Sequence, residues 1–108
     1  MTALSIEDFK KIELKVARVV GVEEIQGADK IWKIVVDIGN EKKEVVAGVK
    51  LFYSKEALLG KNVILVNNLI PTTIRGVESK GMLLAAKDGL VLSLITPDKE
   101  IPPGSLVG

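Results

Sequence analysis

The sequence contains no cysteine and no histidine among its 108 residues. The chain therefore has no thiol nucleophile, no imidazole base and no disulfide, and it lacks the side chains that hold most zinc sites. Carboxylates and lysines remain, so catalysis is disfavoured as a class but still open. We expect a binding protein rather than an enzyme, with no metal and no cofactor.

Aromatic residues make up only 4% of the sequence. This content is too low for a row of rings on which single-stranded RNA could stack, so an RNA ligand would be recognised in folded form, through its backbone and shape. No apolar run approaches the roughly 18 residues of a membrane span, and residues 1–10 lack the order of a signal peptide. We expect a cytoplasmic protein without a membrane partner, folded as one domain over residues 1–108.

The net charge of +1 counts mildly against a nucleic-acid partner. The charges are unevenly distributed, however. Residues 10–18 contain four basic side chains and one carboxylate, which give a net charge of +3. Residues 75–87 contain three basic side chains and one carboxylate, which give a net charge of +2. A local basic surface is therefore compatible with the near-neutral total.

Apolar periodicity and turn residues predict an all-β chain with one short internal helix. In the first strand the alternation shifts between Ala17 and Gly21, which predicts a bulge or bend there. A helix between the third and fourth of five strands is typical of an OB-fold barrel, here followed by a C-terminal β extension. Strands are predicted over residues 12–22, 31–38, 42–49, 63–66, 83–86 and 90–95, and the helix over residues 54–60.

The connection from Asn68 to Met82 is long and has no clear strand or helix pattern, which in a compact domain is usually functional or disordered. Four apolar side chains, Leu69, Ile70, Ile74 and Val77, are expected to anchor it and leave a polar rim exposed. In an OB-fold, ligands lie on strands 2 and 3, between the first loop and the loop joining strands 4 and 5. Those loops are residues 23–30 and residues 68–80 here.

Several segments resemble the tRNA-binding domain family. They are Ala28-Asp29-Lys30-Ile31, Val36-Asp37-Ile38-Gly39, Val46-Ala47-Gly48, Asn68-Leu69 and the run from Arg75 to Met82 that contains Ser79-Lys80-Gly81. The family includes stand-alone tRNA-binding proteins and the C-terminal domains or small subunits of methionyl-tRNA synthetases. The resemblance implies an OB-fold that binds tRNA by shape at its outer corner, and a dimer formed through the C-terminal extension.

The resemblance and the charge pattern together give a set of candidate tRNA-binding residues. The expected function is a non-catalytic tRNA-binding homodimer, an accessory subunit of methionyl-tRNA synthetase. A chaperone-like, peptide-binding protein of the same fold is the alternative. The candidate residues are Lys15, Lys33, Asn68, Arg75, Ser79, Lys80 and Met82.

Several of the notable residues also have a purely structural interpretation. Trp32 is expected in the core rather than stacked on a base, and Met82 fits either a core or a ligand role. Asn68 could hold its loop by bonding to the backbone. Asp29 and Asp37 adjoin turns, so they are expected to cap strand ends rather than form a catalytic carboxylate pair.

Residues 90–108 are predicted to form the dimer interface. Apolar side chains occur there at both strand parities, more than one face of an added strand can bury. They are Leu90, Val91, Leu92, Leu94, Ile95, Leu106 and Val107.

Overall fold

Ten strands and two one-turn helices are present in the computed structural model, which describes residues 2–108. In chain order they are α1 (Ile6–Phe9), β1 (Leu14–Glu24), β2 (Trp32–Asp37), β3 (Lys42–Ala47), α2 (Lys55–Leu58), β4 (Asn62–Val66), β5 (Thr72–Ile74), β6 (Val77–Ser79), β7 (Met82–Leu83), β8 (Ala85–Asp88), β9 (Val91–Leu94) and β10 (Leu106–Val107). Within that range no helix is long and apolar enough to cross a membrane.

Five of these strands form an antiparallel sheet in the order β3-β2-β1-β4-β7, and β10 also pairs with β1. The sheet curls until β3 meets the segment just before β7, where the Lys80 N–H donates to the Glu44 carbonyl at 2.9 Å. Helix α2 lies between β3 and β4. These features confirm the predicted OB-fold barrel with its inserted helix and its C-terminal β extension.

Strand β1 serves both halves of the barrel because it bends in its middle. Its first half pairs with β4 and its second half with β2, and the register with β2 shifts between Val19 and Gly21. At Gly21 a Cβ atom would lie 3.3 Å from the Val35 Cβ, so the bend also suits a small residue. The predicted bulge between Ala17 and Gly21 is confirmed.

The barrel core is filled from both sheet halves and is covered at one end by α2. Ser54 caps this helix by accepting a hydrogen bond from the Ala57 N–H at 3.1 Å, and Leu58 is fully buried. Trp32 is 6% exposed, and its indole N–H donates to the Tyr53 carbonyl at 2.8 Å. The core role predicted for Trp32 is confirmed.

The connection between Asn68 and Met82 differs from the irregular, apolar-anchored loop that the sequence predicts. Strands β5 and β6 pair within it as a short hairpin, and Ile70 is 90% exposed rather than an anchor. Leu69 is also exposed, whereas Ile74 and Val77 are partly buried. The hairpin pairs its own backbone groups, so it needs less apolar anchoring than an irregular loop does.

The predicted buried strand over residues 83–86 is mostly wrong. Met82 and Leu83 pair with β4 as β7, and the Leu84 N–H donates to the Ile64 carbonyl at 3.0 Å. The chain then leaves the barrel and forms a hairpin of β8 and β9, in which β8 is exposed. Leu94, predicted as part of the dimer interface, is 4% exposed and lies in the core, and its N–H donates to the Tyr53 hydroxyl at 3.0 Å. The small side chains of Ala85 and Ala86 have little apolar area with which to hold β8 on the barrel.

Candidate functional site

The tip of the β5–β6 hairpin is the turn Arg75-Gly76. Both residues have positive φ, +52° at Arg75 and +80° at Gly76, as a two-residue type I′ turn requires. Within residues 2–108, Arg75 is the only residue other than glycine with positive φ. Glycine and asparagine accept this conformation more readily than a long side chain does, and such backbone outliers cluster at functional sites.

A cleft of about 410 Å³ separates this hairpin from the loop between β1 and β2. Its lining includes two cations, Lys30 and Arg75, and one carboxylate, Asp29. In the described part of the chain neither cation lies within ion-pair distance of a carboxylate. The two loops that border the ligand site of an OB-fold therefore face each other here. The full lining is Gly27, Ala28, Asp29, Lys30, Ile31, Ile74 and Arg75.

A second, smaller cleft of about 230 Å³ lies between the hairpin and β3. Ser79 and Met82 line it, together with Val46 of β3 and Ile74, which borders both clefts. The outer face of β3 thus lies directly beside the hairpin. Around the hairpin the structure brings together Arg75, Ser79 and Met82 of the predicted set.

Ser79 and Gly81 lie where the two edges of the barrel sheet meet, between β3 and β4. Ser79 is 6% exposed, and its Oγ accepts a hydrogen bond from the Val46 N–H at 2.9 Å and donates one to the Gly81 carbonyl at 3.2 Å. A Cβ on Gly81 would lie 2.8 Å from Leu65 Cδ1 and 2.9 Å from the Val66 carbonyl oxygen. Ser79 and Gly81, two residues of the run that resembles the tRNA-binding domain family, therefore have a structural role in this chain.

Removing the Ser79 hydroxyl is expected to destabilise the barrel. Ser79→Ala leaves the Val46 N–H without its acceptor, which costs about 1–3 kcal/mol when the group is shielded from water. Urea denaturation measures the change, with Ser93→Ala as the control because Ser93 is exposed and its hydroxyl makes only a 3.4 Å contact to the Leu94 carbonyl. Equal midpoints for the two variants would contradict the closing role of Ser79.

Lys33 and Lys80 lie near the same part of β3 but are ion-paired. The Lys33 Nζ is 3.1 Å from a carboxylate oxygen of Glu23 and 3.1 Å from one of Glu44. Hydrogen bonds to Glu44 and Glu23 raise the pKa of Lys33 above its ordinary value. Lys80 is half exposed, with its Nζ 3.7 Å from Glu78. A phosphate would have to compete with these carboxylates.

Asn68 ties the start of the connection to the segment before β1. Its Oδ1 accepts from the Glu13 N–H at 2.8 Å and its Nδ2 donates to the Lys11 carbonyl at 2.6 Å. The backbone-holding alternative for Asn68 is thus observed, although the backbone it holds is distant in sequence. Lys15 is nearby and largely buried, with its Nζ 3.3 Å from Glu13. The hydrogen bonds from Asn67 and Lys15 lower the pKa of Glu13.

Asn68 and Lys15 therefore lie away from the cleft that holds Arg75. Sequence reasoning missed Lys30 as a site residue, although Ala28-Asp29-Lys30 stood out as a motif. The available signal was its position at the end of the first OB-fold loop, because that loop borders the ligand site.

An apolar groove of about 470 Å³ lies on another side of the barrel, between α1, the start of β1 and β7. Lys11 and Asn68 are its only polar lining residues among those described. The apolar lining residues are Phe9, Ile12, Leu14, Val66, Leu69, Met82 and Leu84.

A family model described as "Putative tRNA binding domain" matches residues 14–106 of the chain. A methionine–tRNA ligase from Methanococcus aeolicus is 50% identical over 107 residues, which are 99% of this chain and 16% of that ligase. A methionine–tRNA ligase from Pyrococcus furiosus is 46% identical over 107 residues, which are 15% of its length. The chain thus spans about one sixth of the length of these curated relatives.

Two solved structures are similar over their whole length. A MetRS-related protein from Pyrococcus horikoshii superposes with a TM-score of 0.93 at 37% identity, with 100% of both chains covered. A CsaA chaperone protein from Picrophilus torridus superposes with a TM-score of 0.90 at 28% identity, covering 98% of this chain and 100% of that one.

Proposed function

Because the chain belongs to the tRNA-binding domain family, we propose that it binds tRNA and catalyses no reaction on it. The observation that carries this proposal is the cleft between the first loop and the hairpin, where Arg75 and Lys30 present cationic groups without carboxylate partners. A guanidinium can donate two parallel hydrogen bonds to one phosphate. Arg75 is exposed at the tip of the hairpin, so a phosphate can reach its guanidinium.

The other predicted residues contribute in two ways. Lys33 and Lys80 add charge beside the hairpin, less than free lysines would because each is ion-paired. Lys15 is ion-paired too and lies away from the cleft, so it contributes only to the wider positive field of the barrel. Asn68 and Ser79 position the hairpin through the backbone bonds described above rather than by turning their polar groups to the RNA. Met82 is half exposed and supplies an apolar contact beside the second cleft.

The proposed physiological role is to supply tRNA affinity to methionyl-tRNA synthetase in the cytoplasm. The support is the identity with methionine–tRNA ligases over about one sixth of their length. Aminoacylation would then belong to the rest of the ligase or to a separate catalytic subunit.

We also propose that the chain acts as a homodimer formed through its C-terminal extension. Large apolar side chains remain exposed there, notably Leu90, Val91, Ile95 and Leu106. Exposed apolar patches mark association sites, and a two-fold pairing would cover the same patch on both copies. The dimer would carry two Arg75 hairpins and could span more of one tRNA than a monomer.

Binding is expected to follow the shape of the tRNA. Labelled intact tRNA should be displaced by unlabelled intact tRNA, but poorly by its isolated anticodon stem-loop or by single-stranded RNA of equal length. The physical reason is that Trp32 is buried, and few other aromatic rings are available to stack on bases. A gel-shift competition at fixed salt measures this.

A control competitor with the tRNA composition in scrambled order keeps the charge and removes the fold. Equal displacement by the scrambled RNA would contradict recognition by shape. Displacement by none of the RNAs, in a chain that also shows no direct gel shift, would contradict tRNA binding itself.

The alternative function is peptide binding in the apolar groove beside Phe9 and Met82, since a CsaA chaperone protein shares the fold. Salt separates the two functions. Affinity that depends on phosphate contacts falls steeply as salt rises, whereas an apolar peptide in this groove would stay bound.

A further inference from the structure

Four lysines lie over aromatic rings on the side of the barrel that carries α2. In each pair the lysine Nζ is within cation–π distance of the ring centroid. The pairs are Lys50 with Trp32 at 4.8 Å, Lys55 with Trp32 at 5.7 Å, Lys61 with Tyr53 at 5.8 Å and Lys87 with Phe52 at 5.7 Å. We call these four lysines the lysine ridge.

The ridge begins at the cleft that holds Arg75. The Lys50 N–H donates to the Lys30 carbonyl at 3.3 Å, and the Lys50 Nζ donates to the Ala28 carbonyl, also at 3.3 Å. Lys30 and Ala28 both line that cleft. Since the Nζ atoms of Lys50 and Lys55 lie over the same Trp32 ring, these two lysines connect the cleft to α2.

The charges of the ridge are less neutralised than those of the lysines predicted from sequence. Lys15, Lys33 and Lys80 each lie within 4 Å of a carboxylate, whereas in the ridge only Lys50 does, with its Nζ 3.6 Å from Glu24. An aromatic ring holds the lysine stem in place but leaves the full charge on the ammonium group. A side chain held in this way loses less conformational entropy when it binds a phosphate.

We propose that the lysine ridge is a second contact surface for the phosphate backbone of the tRNA, continuous with the Arg75 cleft. This inference rests on the proposed function and extends its footprint from the ligand face of the barrel onto the α2 side. The contacts are to phosphates and not to bases, because the underlying Trp32 ring is buried.

The test compares the salt dependence of tRNA binding in three double variants and the wild type. Lys55→Gln with Lys61→Gln removes two ridge charges and keeps most of the side-chain length. The affinity for a tRNA transcript should fall, and the slope of log Kd against log salt should decrease by about 1 to 2, since each phosphate contact contributes about 0.7 to 0.9. Lys55→Arg with Lys61→Arg keeps the charge and should keep the wild-type slope.

The matched control is Lys10→Gln with Lys42→Gln, two exposed lysines without an ion pair in the described residues. In the β2–β3 register Lys42 lies opposite Asp37, which is at the other end of β2 from Trp32. The two ends are about 16 Å apart along the strand. This variant has the same net charge as the ridge variant and should keep the wild-type slope. Melting curves verify that all the variants fold.

A reduced slope in the ridge variant alone supports the ridge. Two results would overturn the proposal that the ridge contacts the tRNA: a wild-type slope in the ridge variant, or an equal decrease in slope in the ridge and control variants. Either result leaves the proposed tRNA binding at Arg75 intact. Absence of tRNA binding in the wild type overturns the proposed function and the ridge together, so the two failures are distinguishable.

Discussion

Arg75→Asn is expected to weaken tRNA binding by about 5- to 150-fold, or about 1–3 kcal/mol, without destabilising the barrel. The loss comes from the guanidinium, which can hold a phosphate through two hydrogen bonds. Asparagine tolerates the positive φ that the turn imposes on residue 75, so the hairpin should keep its shape. The substitution therefore separates the charge from the backbone conformation.

Fluorescence anisotropy with labelled tRNA at fixed salt gives the affinity, and thermal unfolding gives the stability. Two further variants complete the design. Arg75→Lys keeps the charge but not the paired donors and should show an intermediate loss, while Thr73→Ala alters the same hairpin without changing its charge. Wild-type affinity in a folded Arg75→Asn variant would show that the hairpin tip does not contact the RNA.

Two leucines of one hairpin are expected to respond in opposite ways to the same substitution. Leu94 is 4% exposed in the core, so Leu94→Lys should unfold much of the protein. The lost packing alone costs about 2–5 kcal/mol, before the burial of a charge, against a typical total stability of about 5–15 kcal/mol. Leu90 is 95% exposed, so Leu90→Lys should change stability by no more than about 0.5 kcal/mol and should favour monomers.

Sedimentation at micromolar concentration reports the mass, and circular dichroism reports the fold. A folded monomer is expected for Leu90→Lys and an unfolded or aggregated chain for Leu94→Lys. If the wild type sediments with the mass of one chain, the C-terminal extension is not the interface. A folded, dimeric Leu94→Lys variant would contradict the core position of that residue.

The sequence was sufficient to predict the barrel because its signals are local and consistent with one another. Alternating apolar residues mark β2, and a shift in alternation marks the bend at Gly21. The helix predicted over residues 54–60 begins at a serine, a common N-cap residue, and ends at a glycine, a common stop residue. Each of these signals depends on neighbouring residues, so it can be read without knowledge of distant contacts.

The details of the site depended on contacts between distant residues. The β5 and β6 strands are three residues long each, too short for a periodic pattern to reveal them. The Val46 N–H donates to the Ser79 hydroxyl, and the Leu94 N–H donates to the Tyr53 hydroxyl. Both bonds join residues that are distant in sequence, and spacing alone does not predict them. The free charge of Arg75 and the ion-paired state of Lys33 likewise become evident only when the carboxylates around them are located.

The β5–β6 hairpin is held to the barrel by hydrogen bonds at both of its ends, and we expect that a different hairpin could replace it. Asn68 fastens one end to the backbone before β1, and Ser79 and Lys80 fasten the other end to β3. The hydrogen-bonded strands of the barrel sheet all lie outside residues 69–78. A hairpin of different length or charge could be inserted between the same two points, and the barrel would then present a different ligand-binding element on an unchanged scaffold.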